Sequence, residues 1–490
     1  MPPKDLKFLN IGEPWPPIDG HERERLDAYS ENDQLRNGKF EECWPDLVKY
    51  LRKGQTQTGL SFVLDYPSLI TSRTVDLILG NPPDFDLPVQ EDQATGEETE
   101  NPDEIKVTDL VERVNFYEVL DSLIGNVDSL GDGVLKCILV VNEDGSKQTK
   151  ILNVHPKHWF PIVKRGTDEI EYHVLAFKYS SQDGKVEKCY LEVEIHNKKD
   201  IEHRLYLLNS SKIKDRSHKY TSDTISEQLP WDETGTGIKE IETNPINDFL
   251  IITCHNNAED GIYGKSSYKP SLKTILKKLI IRYSLENDVE DIFTKPTFFG
   301  PREYAEPDPI TKKPTFKPGG YLGVPVSDPH TPPPVVPGAL VWDAHLADNN
   351  VSKESLMSRL FDMSEMSPVL FAGNLVGMAE SGTALRLRLT NTLAKCARIR
   401  RKVDGAVRKA LNIGLELEGN PVLGLYIEWK DGLPKIPLEE AQRFNLWANT
   451  PQFAGEVGGQ YLLKEFGYSE KEAKAIMSDP SRGGGLGGMI

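Results

Sequence analysis

Apolar positions recur at helical spacing in two long stretches of the C-terminal half. Between Ser266 and Phe293, Leu272, Ile275, Leu276, Leu279, Ile280 and Tyr283 fall on one face, and Lys273 and Lys277 share the opposite side. Pro270 sits in the first turn, where its missing N–H costs nothing. At about 1.5 Å per residue this helix is a rod of roughly 40 Å. Its end carries Glu286, Asp288, Glu290 and Asp291. Acids there oppose the helix dipole, so a partner subunit or cations are expected against them. A longer stripe, Leu385, Leu389, Leu393, Cys396, Ile399, Val403, Val407 and Leu411, predicts one helix from Gly382 to about Leu415. Its nine basic residues between Arg386 and Lys409 face a single acid, Asp404. Such a face either meets nucleic acid or pairs with acids of the same or a neighbouring subunit. Between the two stripes a short helix is predicted from Ser352 to about Met366, stopped by Ser367-Pro368. The segment 369–381 is small, apolar and glycine-containing.

Upstream, helical pieces are predicted around His21 to Asp33 and Lys39 to Lys53. Another runs from Pro67 to Leu79, with Leu69, Val75, Ile78 and Leu79 as its apolar side, and a fourth from Val107 to Asp128. The third stops at Gly80-Asn81-Pro82-Pro83. The period then drops to two. Strands are predicted over Val134 to Val141, Ile151 to Val154, Phe160 to Val163, Glu169 to Tyr179, Glu187 to His196 and Arg204 to Asn209. The alternation Tyr190-Leu191-Glu192-Val193-Glu194-Ile195 suits half-exposed antiparallel strands. Residues 210–246 read as a polar loop region, and Phe249 to Cys254 as a buried strand. Leu423 to Trp429 reads as a strand, Pro437 to Leu446 and Tyr461 to Met477 as short helices, and the glycine-rich tail as mobile. The fold class is α+β.

Two segments break these periods. Residues 296–337 hold twelve of the 34 prolines, which excludes helix and argues against central strands. The same segment carries Phe298, Phe299, Tyr304, Phe316 and Tyr321, which points to a small packed module. Residues 84–105 hold nine acids, from Asp84 and Asp86 to Asp103 and Glu104, and read as a solvated, mobile loop, with a partner-binding acidic segment as the alternative.

Composition narrows the classes. A chain of 490 residues that is 38% hydrophobic supports roughly two to four domains or subdomains. No run approaches the ~20 apolar residues of a membrane span. The start, MPPKDLKFLNIGEPWPP, lacks the layout of a signal peptide, so a soluble chain made and used in a cytoplasm is expected. Cys43, Cys137, Cys189, Cys254 and Cys396 are scattered and odd in number, which predicts buried or free thiols. A net charge of −17 argues against a tight DNA binder, because DNA affinity comes largely from neutralised phosphates. It is compatible with a protein that DNA passes through without sticking.

Motifs for chemistry are weak. Gly264-Lys265-Ser266 follows a strand and precedes a helix, as a phosphate loop does, but Glu259 stands where the loop glycine is needed and Asp260 follows. His155-Pro156-Lys157-His158 reads as two structural histidines. No nucleophile elbow or reactive-cysteine signature occurs. No catalytic residue, metal site or cofactor is therefore expected.

Five segments, in order, resemble the portal proteins of tailed bacteriophages. They are YPSLITSRTVDLILGNPPDF (66–85), NFYEVLDSLIGNVDSLGDGVLKCILV (115–140), HPKHWFPIV (155–163), GKSSYKPSLKTILKKLIIRYSLENDVED (264–291) and SGTALRLRLTNTLAKCARIRRKVDGAVRKAL (381–411). The resemblance implies a portal fold: a mixed α/β wing over 1–263, a stem helix over 264–293, a small β-containing clip over 294–350 and a second stem helix over 351–366. It further implies a tunnel loop over 367–381, a wing helix and strand over 382–435, and a short helical crown over 436–490. It implies a non-enzymatic ring of about twelve subunits at a capsid vertex of the virion, assembled in the host cytoplasm. Double-stranded DNA would pass through non-specifically. The other partners implied are the large terminase subunit, a head–tail adaptor and the major capsid and scaffold proteins, with no membrane. The DNA-channel candidates are Lys273, Lys277, Gly373, Asn374, Gly377 and Met378. The two lysines would form a basic band on the stem lining, or else salt-bridge neighbouring stems. The candidates for motor and adaptor docking are Phe298, Phe299, Arg302, Tyr304, Lys312 and Lys313. A head–tail adaptor ring and a soluble multidomain hydrolase stand as the alternatives.

Overall fold

The computed structural model describes residues 5–17, 20–47, 65–88, 90–91, 98–99, 101–141, 145–183, 186–213, 222–231, 238–257, 262–293, 297–301, 321–324, 338–340, 346–371, 382–430 and 432. The chain divides into two compact units. One is Met1–Gly373 with Asn391–Gly432, and the other is Asn374–Thr390 with Leu433–Ile490. The architecture is mixed α+β.

The first unit is built round a curled antiparallel sheet. Its strands are β1 (Pro14–Trp15), β7 (Trp159–Val163), β8 (Ile170–Asp183), β9 (Val186–His196), β10 (Asp200–Ile213), β11 (Ser222–Leu229) and β12 (Ile241–Thr243). The order is β1-β11-β10-β9-β8-β7, with β12 also paired to β10. Register shifts at Leu207/Leu208 and Ile162/Val163 bend it, as bulges do. Leu191, Val193 and Ile195 point to one face, where they meet Val174, Ala176, Tyr206 and Ile225 under Leu26 and Trp15.

The other face is covered over part of its length: Glu194 is buried, against the half-exposed expectation, whereas Tyr190 and Glu192 stay part-exposed in line with it. A second sheet of β5 (Asp132–Val141), β6 (Lys147–Val154) and β13 (Ile251–His255) lies in the order β13-β5-β6. Val134, Val154 and Ile251 of this sheet bury Trp159 and Leu175 of the first. Polar residues on the covered face therefore need partners. Glu194 accepts from Lys136 at 2.7 Å and from His196 at 3.0 Å.

The helices are α1 (Gly20–Arg36), α2 (Phe40–Cys43), α3 (Tyr66–Leu79), α4 (Glu104–Arg113), α5 (Phe116–Ser129), α6 (Pro270–Phe293), α7 (Leu346–Ser364) and, at the end of the unit, α9 (Thr390–Leu417). The predicted helix from Val107 to Asp128 is two helices, α4 and α5. Asn115 stands between them with φ +50°, a left-handed conformation that asparagine tolerates and a helix does not. In α3 the buried side is Ile70, Thr71, Thr74, Val75, Leu77 and Ile78, while Leu69 is exposed. Two threonines belong to the buried face because their hydroxyls are bonded inside, Thr74 Oγ1 to the Ile70 carbonyl at 2.8 Å.

Strands β11 and β12 lie in the region predicted as polar loop. Among the described side chains of β11 only Asp223 and Ile225 are buried, too few to raise an alternation signal. The acidic segment is ordered at both ends. β2 (Asp84–Asp86) pairs with β17 (Tyr426–Glu428), and β3 (Gln90–Glu91) pairs with β4 (Glu98–Thr99). Burial, with Asp84, Glu104 and Glu428 nearby, pushes the Asp86 carboxyl up to about 6.

In the second unit the described residues form α8 (Gly382–Arg388). The single helix predicted from Gly382 is thus interrupted at Leu389. The Thr390 hydroxyl donates to the carbonyls of Leu387 at 2.8 Å and Arg386 at 3.2 Å, competing with the backbone ladder. The helices predicted over Pro437 to Leu446 and Tyr461 to Met477, and the glycine-rich tail, lie outside the described residues. Among the described residues no helix is long and apolar enough to cross a membrane.

Candidate functional site

Helices α6 and α7 run antiparallel, and their ion pairs fix that direction. Lys269, before α6, lies 3.0 Å from Glu365, just past α7. At the other end Glu286 of α6 pairs with Lys353 of α7, whose ammonium also sits 4.8 Å from the Tyr283 ring centroid. Between the ends, Leu272, Leu276, Leu279 and Ile280 are buried with Leu360, Ile70 and Leu35. Each such side chain contributes about 2 kcal/mol. The predicted stripe is therefore the core-facing side of α6. Glu286 finds a cation, Lys353, within the chain. The side chains of Asp288, Glu290 and Asp291 lie outside the described residues. The predicted start at Ser266 is delayed to Pro270, because Ser266 and Ser267 are bonded to the end of α5. The Ser266 hydroxyl donates to the Ser129 carbonyl at 2.5 Å, and Ser267 N–H to the Asp128 carbonyl at 2.9 Å.

Lys273 and Lys277 are both engaged within the chain. Lys273 Nζ lies 2.7 Å from Glu31 of α1, and Lys277 Nζ lies 4.8 Å from the Trp44 ring centroid. At about 100° per residue, Lys273 stands on the flank of the apolar stripe rather than opposite it. Thr274, Lys277 and Lys278 lie on the far side of α6 and Ser271 and Arg282 towards its other flank, all exposed. Among the described residues neither Lys278 nor Arg282 is ion-paired. Their i, i+4 spacing could have flagged them in the sequence.

The lead-in to α6 and the long helix α9 meet at a buried polar knot. Asp128 of α5 is 0% exposed and Lys395 of α9 is 1% exposed. They lie 2.9 Å apart. The carboxylate also accepts from Ser267 Oγ at 2.6 Å and Thr71 Oγ1 at 2.9 Å. Lys395 donates further to Thr74 Oγ1 at 3.2 Å. Tyr268 OH donates to the Pro67 carbonyl at 2.6 Å and lies 2.7 Å from Thr71 Oγ1. Three helices and the start of a fourth are thereby tied to one charge pair.

Most of the basic residues of α9 are used in the same way. Arg398 lies 2.8 Å from Glu365, Lys409 2.8 Å from Asp248, and Arg408 2.7 Å from Asp404. Arg400 donates to the carbonyls of Leu77 and Lys430, both at 2.8 Å. Arg401 and Lys402 remain exposed. Of the two readings of this face, pairing with acids of the same chain accounts for Lys395, Arg398, Arg408 and Lys409.

The proline-rich insert holds a three-stranded sheet: β14 (Thr297–Pro301) pairs in parallel with β15 (Tyr321–Val324) and antiparallel with β16 (Gly338–Leu340). β14 is central, against expectation. Its proline falls at the last position, where a missing N–H interrupts least. Phe298 is 52% exposed, and the Phe299 ring occupies the space a Cβ on Gly338 would need, 2.7 Å away. Arg302, Tyr304, Lys312 and Lys313 lie outside the described residues, as do Gly373, Asn374, Gly377 and Met378.

No family model matches the chain, and no curated protein matches it. Solved structures that overlap it include two particle components. One is the neck of an empty gene transfer agent particle computed with C6 symmetry, 13% identical, with a TM-score of 0.41 over 86% of this chain and 93% of that one. The other is the virion of a native gene transfer agent particle, 12% identical, with a TM-score of 0.40 over 85% and 98%. Overlap that loose assigns neither a function nor a site.

The remaining motifs are taken up structurally. Gly264 N–H donates to Asp132 Oδ1 at 2.7 Å, so a carboxylate occupies the place a phosphate would need. A Cβ on Gly264 would lie 2.0 Å from the Gly131 carbonyl oxygen, which explains the glycine without a ligand. His155 pairs with Asp33 at 2.9 Å, and His158 Nδ1 donates to the Ala176 carbonyl at 3.0 Å. All five cysteines are free thiols. Burial pushes Cys137 and Cys254 up to about 12 and Cys396 up to about 11, far from a reactive thiolate. Among the described residues no three His, Cys, Asp or Glu side chains are disposed to hold a metal.

Proposed function

We propose that this chain is the subunit of a portal-type ring, a non-enzymatic channel at one vertex of a phage-like capsid. The observation that carries the reading is the antiparallel pair α6 and α7, interrupted by an insert with its own small sheet. Such a pair stands as a rod with the insert at its far end. In this reading residues 1–263 and 382–435 form the wing, 264–293 and 351–366 the stem, 294–350 the clip, 367–381 the tunnel loop and 436–490 the crown. The clip, with Phe298 exposed and Arg302, Tyr304, Lys312 and Lys313 in the same insert, docks the large terminase subunit and later the head–tail adaptor. Major capsid and scaffold proteins surround the wing. About twelve copies at −17 each carry roughly −200 formal charges, which keeps passing DNA weakly held. The tunnel loop contributes Gly373, Asn374, Gly377 and Met378. Lys277, Lys278 and Arg282, all exposed, supply the thin basic band on the stem with Lys273, which is paired with Glu31, at its edge.

Native mass spectrometry with negative-stain imaging tests the ring. Closed assemblies of about twelve subunits with a central hole are expected. A single-subunit mass at every salt concentration rejects the reading. Charge reversal at both Lys278 and Arg282 is expected to leave the rings intact and cut packaged DNA about tenfold. Unchanged DNA content in those particles removes the two residues from the channel.

A further inference from the structure

The first unit contains a 420 Å³ cavity between α1, β1 and the turn before β7, away from α6 and α7. Its size is that of an ordinary small-ligand pocket. The wall is divided by chemistry. Trp15, Leu26, Phe160 and Ala176, all buried, make an apolar floor. Arg23, Lys157 and Lys178 stand round the mouth, with Asp33 as the single acid of the lining. In a chain of net charge −17 such a concentration of cations is unusual.

The cations differ in availability. Lys178 is paired with Asp223, and Arg23 lies 3.7 Å from Asp27. Asp33 is occupied by His155. Lys157 is exposed and has no ion pair among the described residues. His158 completes the mouth. Its Nδ1–H is donated to the Ala176 carbonyl, so Nε2 is left as an acceptor. Burial holds this imidazole down at about 4, so it stays neutral and accepting at pH 7.

We propose that this cavity binds a compact organic anion: an apolar, ring-sized body on the Trp15–Phe160 floor and a phosphate-like head on Lys157. The head's hydroxyl, where it has one, donates to His158 Nε2. Nothing in this assignment depends on ring formation or on DNA.

Isothermal titration calorimetry on the full chain tests it, with phenyl phosphate as the probe. Inorganic phosphate supplies the head alone and benzyl alcohol the body alone. Saturable one-to-one binding of phenyl phosphate is expected, at least about tenfold tighter than either fragment. Lys157→Glu is expected to weaken it a further tenfold or so, because a charge-assisted contact becomes a repulsive one. Lys157 is exposed, so the thermal midpoint of the free protein should not move. Leu26→Trp, which fills the floor, should abolish binding of the body and head alike. Absence of saturable binding overturns the proposal, as does equal binding by Lys157→Glu. Equal binding of inorganic phosphate reduces the site to a bare anion contact and overturns the two-part assignment.

Discussion

Replacing Lys395 by methionine is expected to cost the folded protein about 3–5 kcal/mol, the usual penalty for leaving one half of a buried pair behind. Methionine matches the lysine stem in length, so the loss is electrostatic rather than a cavity. Asp128 is fully buried and would keep only its hydroxyl donors, Ser267 and Thr71, against a full negative charge. Thr74 would lose its ammonium donor as well. The double variant Lys395→Met with Asp128→Asn removes both charges. It should recover more than half of the loss, because a neutral amide can still be satisfied by the same hydroxyls. Urea unfolding of the wild type, the single and the double variant measures all three terms. A single-variant loss below ~1 kcal/mol would mean that water or local rearrangement screens Asp128, and the knot would then not be the clamp between α3, α5, α6 and α9.

The knot also marks where sequence reading stopped. The stripe of α6 was legible, because Leu272, Leu276, Leu279 and Ile280 obey one period and all four are buried. The strands β8 and β9 were legible for the same reason. Lys395 was not. A lysine beside Cys396 on a basic helix reads as solvent-facing, since unpaired lysines are almost never buried. Only the arrival of Asp128, 267 positions earlier in the chain (395 − 128), reverses that. Lys273 shows a subtler limit. Its helix was identified correctly, but α1 supplies Glu31, which the local pattern could not show, while Lys277 beside the Trp44 ring stays exposed. β11 failed in the other direction, because Ile225 is the one apolar residue it buries. In each case the local pattern specified the element, and a distant partner decided which face was inside.

Acidification from pH 7.5 to 5.0 is expected to remove about 4 kcal/mol of stability through two histidines. Burial holds the His158 imidazole down at about 4 and the His173 imidazole at about 3. His173 is fixed as an acceptor from Trp159 Nε1 at 3.0 Å and packs edge-on to Phe249. In the unfolded chain both titrate near the ordinary value of about 6.5. Below that pH the unfolded state binds protons that the folded state refuses, so stability falls as pH drops from about 6.5. The loss continues down to the folded values near 4 and 3. At pH 5.0 each group lies about 1.5 pH units below its unfolded pKa, worth about 2 kcal/mol. His196 and His203 are displaced in the same direction by burial and add to the slope. Glu194 acts later. Burial would raise its carboxyl, but the hydrogen bond from His196 and the charge of Lys136 outweigh that and hold it at about 2. Its contribution is present above about 4.5 and is lost below. Urea unfolding at the two pH values measures the total. His158→Gln isolates one term and should reduce the pH-dependent loss by about half, whatever it does to stability at pH 7.5. A difference below ~1 kcal/mol between pH 7.5 and 5.0 in the wild type would show that both rings accept protons in place. The surroundings of the two rings would then be wetter than their packing implies.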